Sequence, residues 1–140
     1  FLNGIHINER VAFLQFNAAP PSVRRDIGMS GLIHKRVLDL AHLAFSVLLP
    51  WAPASWQGSL GHPKMLLTHV SQTVYYHDLF NRSIFGYAGI YNRLPRFLVE
   101  CKTVSDFQHE LTAIVKHRCR QGIEGWQYTF NSSGFRRGFM

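Results

Sequence analysis

Thr103-Val104-Ser105-Asp106-Phe107-Gln108-His109-Glu110-Leu111-Thr112-Ala113-Ile114-Val115-Lys116-His117-Arg118 is the stretch that decides the fold. Its first four residues have the capping-box pattern, an acid three positions after a hydroxyl, which satisfies the free N–H groups of a first helical turn. Val104, Phe107, Leu111, Ile114 and Val115 then recur at helical spacing as one apolar stripe. The reading is an amphipathic helix from Val104 to Arg118. Such a helix must lay its stripe against another element, and the fold class that follows is mainly α.

Working back from it, Asn92-Arg93-Leu94-Pro95 stops an earlier helix, because proline lacks an N–H and turns the preceding residue away from α geometry. That helix spans Ile84 to Arg93, with Ile84, Phe85, Ala88 and Tyr91 on one side. Before it, Met65 to Tyr76 carries Val70, Thr73, Val74, Tyr75 and Tyr76 and reads as extended or a short strand. Trp51 to Lys64, with Pro53, Pro63, Gly58 and Gly61, is a long loop. His42 to Leu49 is apolar throughout and reads as a short buried helix stopped by Pro50. Ser22 caps a helix whose Val23, Ile27, Ile33, Val37, Leu38 and Ala41 keep a 3.6-residue period. Gly28 and Gly31 weaken it by about 1 kcal/mol each, which close packing by a neighbour offsets. Asn8 and Glu9 open the first helix, and Ala18-Ala19-Pro20-Pro21 ends it. Gly122, Gly125 and Asn131-Ser132-Ser133-Gly134 mark a flexible tail. The expected architecture is a small helical domain with a long central loop and at most one short strand or hairpin. Its parts are an N-terminal helical part (1–50), the loop (51–64), a C-terminal helical part (65–121) and the tail (122–140).

The 140 residues fit one domain, and 46% are hydrophobic, enough for a core. Only 16% are charged, against about 25% in soluble domains, which suits a piece that packs on something else. The net charge of +7 favours polyanions, nucleic acid first, with a merely solvated basic surface as the alternative. Arg24, Arg25, Lys35, Arg36, Lys116, Arg118 and Arg120 are the candidate phosphate contacts. Tyr75, Tyr76, Tyr87, Tyr91, Trp126 and Tyr128 are candidates to stack on bases or, alternatively, to build a core.

Chemistry of its own is not legible in this chain. The eight histidines lack paired metal-ligand spacing, and His109, His117 and Cys119 come nearest to it. There is no Gly-x-Ser-x-Gly elbow and no phosphate loop. Tyr76-His77-Asp78 offers one acid where a two-metal site needs several. No catalytic set, metal or cofactor is expected. Cys101 and Cys119 read as reduced thiols of an intracellular protein. No signal peptide is visible, and the longest apolar run is too short to span a membrane. The chain opens on Phe1 without a Met, which suits an excised segment or an incomplete reading frame.

Tyr91-Asn92-Arg93-Leu94-Pro95, followed by Ser105 and Phe107 at the head of an amphipathic helix, resembles the C-terminal segment beyond the polymerase of LINE-type non-LTR retrotransposon reverse transcriptases. That family usually has Trp at the position of Tyr91 and Lys at that of Gln108. Val23-Arg24-Arg25-Asp26-Ile27 with Leu32-Ile33-His34-Lys35 is similar to its Arg-rich helix. The resemblance spans about residues 8–117. It implies a non-catalytic accessory segment that packs on the upstream polymerase domain of the same polyprotein and contacts RNA or DNA, in cytoplasm and nucleus. Tyr91, Asn92, Leu94, Pro95, Ser105 and Phe107 would be its structural motif. The alternatives are a protein-interaction module and a degenerate reading-frame fragment with no nucleic-acid role.

Overall fold

The structure, a computed structural model, describes residues 8–55, 62–68 and 82–131. Helix α1 spans Glu9–Phe16, and the Asn8 side chain accepts from Val11 N at its start. Asn17 ends it in left-handed geometry, φ 55°, before the prolines are reached. This is a C-terminal cap of the kind Asn tolerates better than most residues. Helix α2 spans Pro21–Val37. Ser22 does not cap it as expected. Pro21 occupies the first turn, where its missing N–H costs nothing, and no side chain caps the start. The helix stops at Val37 because Asp39 turns left-handed, φ 62°. Leu38 and Ala41 therefore fall outside it.

Helix α3 spans Leu43–Leu48, with the His42 ring accepting from Ala44 N. The expectation of a buried helix fails here. None of its residues is buried, Leu43 is 76% exposed and Val47 78%. Phe45 packs half-buried against the core, and Leu49, just past the helix end, is buried in it. The chain then pairs Trp51 with Leu66 in an isolated antiparallel bridge, through Ala52 N to Met65 O at 3.0 Å and Leu67 N to Pro50 O at 2.8 Å. The extended reading is thus seen at Leu66, while Val70, Thr73, Val74, Tyr75 and Tyr76 lie outside the described residues.

Helix α4 spans Ile84–Asn92, capped by Ser83, and α5 spans Arg96–Val99 after Pro95. Helix α6 spans Val104–Arg120, and Thr103 Oγ1 accepts from Asp106 N at 3.0 Å. A 3-10 turn follows at Trp126–Tyr128. Helix α2 is the hub. It packs against α4 and α6, while α1 and the 3-10 turn close on α6. Helices α2 and α6 are antiparallel: Gln108 Nε2 lies 3.5 Å from Ile27 O, whereas His34, farther along α2, meets Cys101 O ahead of α6. The Gln108 carboxamide fills the space that a Cβ on Gly31 would need, but nothing lies near Gly28.

Both sides of the 51–64 loop feed one core, from Phe13, Val23 and Ile33 to Tyr91, Leu98, Phe107 and Leu111. Residues 122–131 correct the expectation of a flexible tail. Trp126 and Phe130 are buried, and the Trp126 ring stacks on Phe13 at 5.7 Å. Gly122 and Gly125 sit at φ 66° and 79°. They bend the chain back onto the core in a conformation that other residues resist. Ser132, Ser133 and Gly134 lie outside the described residues.

Candidate nucleic-acid interface

The motif residues lie mostly in the core. The buried Tyr91 hydroxyl and His34 Nδ1 are 2.8 Å apart, and His34 Nε2 is 2.8 Å from Cys101 O. A carbonyl only accepts, so Nε2 carries the proton and Nδ1 accepts from Tyr91. The His34 ring stacks on Phe107 with centroids 4.2 Å apart. His62 repeats the arrangement: Nε2 donates to Tyr91 O at 3.0 Å, and Nδ1 accepts from Lys64 N at 3.1 Å. Both rings are therefore neutral. Burial pushes their pKa values down, against a smaller upward pull from the backbone carbonyls.

Asn92 pairs with Leu66 as a strand would, accepting from its N at 2.8 Å and donating to its O at 2.7 Å. Leu94 is buried, and Pro95 precedes α5 as its N-cap. Ser105 alone of the six motif residues is exposed, on a shallow cavity that Arg24 also lines. The segment thus ties α2, α4, α6 and residues 62–66 together. His34 and His62 are the residues that sequence reading passed over. A signal existed for His34, which falls two turns after Ile27 on the apolar stripe of α2.

A second buried polar pair joins α2 to α4. Tyr87 Oη donates to Asp26 Oδ1 at 2.5 Å, and Arg25 Nε lies 3.4 Å from the same oxygen. Asp26 Oδ2 is buried without a partner. Burial pushes the Asp26 carboxyl above its ordinary range, and burial together with Asp26 pushes the Tyr87 phenol up to about 12. Burial also raises both thiols, Cys101 and Cys119, so they are held protonated and are weak nucleophiles. Among the described residues no three His, Cys, Asp or Glu side chains are placed to hold a metal.

The seven basic candidates do not form one patch. Arg36 is only 4% exposed. Its Nε donates to Leu49 O at 2.9 Å, and its guanidinium lies over the Trp51 ring and near Asp39. It ties α3 to α2 and is not available to phosphate. Arg24, Arg25 and Lys35 are exposed, Arg25 beside Asp26. Lys35 stands at the C-terminal end of α2, and Lys116, Arg118 and Arg120 stand at the C-terminal end of α6. Because the two helices are antiparallel, these groups lie at opposite ends of the molecule.

At the α6 end the structure adds Arg10, which sequence reading left out. Its Nε donates to Cys119 O at 3.0 Å and its Nη2 to Arg120 O at 3.1 Å. A cation there offsets the negative end of the helix dipole. Lys116 Nζ lies 5.5 Å from the Phe13 ring centroid. Arg10 and Arg118 line a cavity of 790 Å³ together with Glu124, Gln127 and Tyr128. Tyr128 is 48% exposed, whereas Trp126 and Phe130 on either side point into the core. Tyr87 and Tyr91 are buried and cannot stack on bases, and Tyr75 and Tyr76 lie outside the described residues. Among the described residues, Glu124 and Glu9 are the acids at this end, the latter bonded to Gln127 Nε2 at 3.1 Å.

The chain matches no protein-family model, no curated protein and no solved structure. Among the described residues no helix is long and apolar enough to cross a membrane.

Proposed function

We propose that this chain is a non-catalytic accessory segment of a retroelement reverse transcriptase, and that it contacts RNA or DNA through the end of the fold where α1 meets the C-terminus of α6. The observation that carries the nucleic-acid reading is the gathering of Arg10, Lys116, Arg118 and Arg120 at that end, where Arg10 and Arg118 line a cavity edged by an exposed tyrosine. The Tyr91 to Phe107 motif supports the retroelement origin. Tyr91, Leu94 and Phe107 of that motif lie in the core, and Asn92 bonds the backbone of Leu66.

The test is a titration of RNA with the full chain at low salt. Lys116→Gln with Arg120→Gln should weaken binding and flatten the salt dependence by about two in log–log slope. Lys35→Gln, at the far end, should leave binding within about twofold of wild type, since only a weak long-range term is lost. An equal loss from Lys35→Gln would overturn the placement. A polymerase reading frame upstream of the codon for Phe1 is the corresponding test of origin.

A second reading, a protein-interaction module, is favoured by the exposed apolar side chains Leu40, Leu43, Val47, Leu48 and Trp51. Faces of this kind are usually covered by a partner, and the polymerase part of the same polyprotein is the partner the resemblance implies. Leu43→Glu with Val47→Glu should then abolish co-purification with that part.

A further inference from the structure

We infer that the cavity between α1, the end of α6 and the 122–131 turn takes one unpaired nucleotide, its base on the Tyr128 ring and its phosphate toward Arg10 and Arg118. This rests on the nucleic-acid reading above and adds the strandedness of the ligand. The cavity is concave, and its 790 Å³ falls within the range of small-molecule sites. A duplex presents a convex backbone and keeps its base faces covered. An exposed ring at a cavity edge can be covered by a base only after that base has left its stack.

The chain around Tyr128 is arranged for this. Trp126 and Phe130 are turned inward and hold the segment against the core, so the ring between them is presented on a fixed support. The wall beside it is cationic. Arg10 is held by two carbonyl groups through Nε and Nη2, which leaves Nη1 free of those bonds. Glu124 lines the same cavity and repels an anion from its side, which orients the phosphate toward the arginines. Gln127 uses its Nε2 on Glu9, so its carbonyl oxygen remains an acceptor for a base edge.

The experiment measures anisotropy of labelled oligonucleotides of about ten residues, single-stranded RNA and DNA against the same sequences as duplexes, at low salt with the full chain. Single strands should bind roughly tenfold more tightly than duplexes. Tyr128→Ala should lose about tenfold on single strands and little on duplexes, while Tyr128→Phe and Tyr128→Trp keep wild-type binding, because stacking needs the ring and not the hydroxyl. Thermal melts of all three variants separate a binding loss from a folding loss. Equal affinity for both forms with Tyr128→Ala unchanged would overturn the inference. If Lys116→Gln with Arg120→Gln still weakened binding in that case, the basic-end reading would stand alone. Absence of binding to any nucleic acid would remove both.

Discussion

Two buried imidazoles hold the centre of this fold, and each is useful only when neutral. His34 and His62 both accept at Nδ1 and donate at Nε2. Protonation of either would place a second proton where Tyr91 Oη–H or Lys64 N–H already points. Their folded pKa values lie below the ordinary 6.5. The unfolded chain therefore binds protons that the folded chain refuses. Stability is fully present above the unfolded pKa and is lost as pH falls through it. The urea midpoint should hold steady at higher pH and drop as pH falls below about 6.5. A flat midpoint below that pH would show that these rings do not control stability. Asn92 bonds both backbone groups of Leu66. Asn92→Leu strands both backbone groups of Leu66 and should cost about 2–4 kcal/mol, read from denaturant melts. His34 shows why such residues were hard to see. A histidine on an apolar stripe looks the same in sequence whether it is solvated, ligating or satisfied, and its partners, Tyr91 and Cys101, lie far along the chain.

Helix α2 packs against both α4 and α6. Its two glycines look alike in sequence, yet their surroundings differ. Nothing lies within reach of a Cβ at Gly28, whereas the Gln108 carboxamide occupies that space at Gly31. Gly28→Ala should stabilise the protein by up to about 1 kcal/mol through helix propensity alone. Gly31→Ala must displace Gln108 and should fall short of that gain or reverse it. Equal effects of the two substitutions in thermal melts would mean that the close α2–α6 approach is absent. Local signals read well where the physics is local. The Thr103 cap, the Asn8 cap and the Pro95 stop each act within one turn and stand where the sequence placed them. Ser22 and α3 went the other way. Pro21 pre-empted the cap, and the apolar composition of α3 did not oblige the rest of the chain to cover it.

For the whole molecule, the segment after α6 is part of the fold. Trp126 stacks on Phe13 near the N-terminus, and Phe130 is buried behind it. Trp126→Ala should cost about 3–5 kcal/mol, as removal of a large buried aromatic does. A loss below about 1 kcal/mol in the same melts would mean that the segment is merely laid on the surface. The closure also builds the candidate interface, since it sets Tyr128 beside Arg10 and Arg118. By itself the amino-acid sequence determined the helical class, the main caps and stops and the positive charge. All of these depend on periodicity, on groups within four residues, or on composition. Only the tertiary structure decided which charges meet. The antiparallel packing of α2 on α6 sends Lys35 to one end and Lys116 to the other, and the core takes Arg36 out of play. The reason is physical. A charge acts on what is near it in space, and nearness between residues a hundred positions apart is created by packing, not by order along the chain.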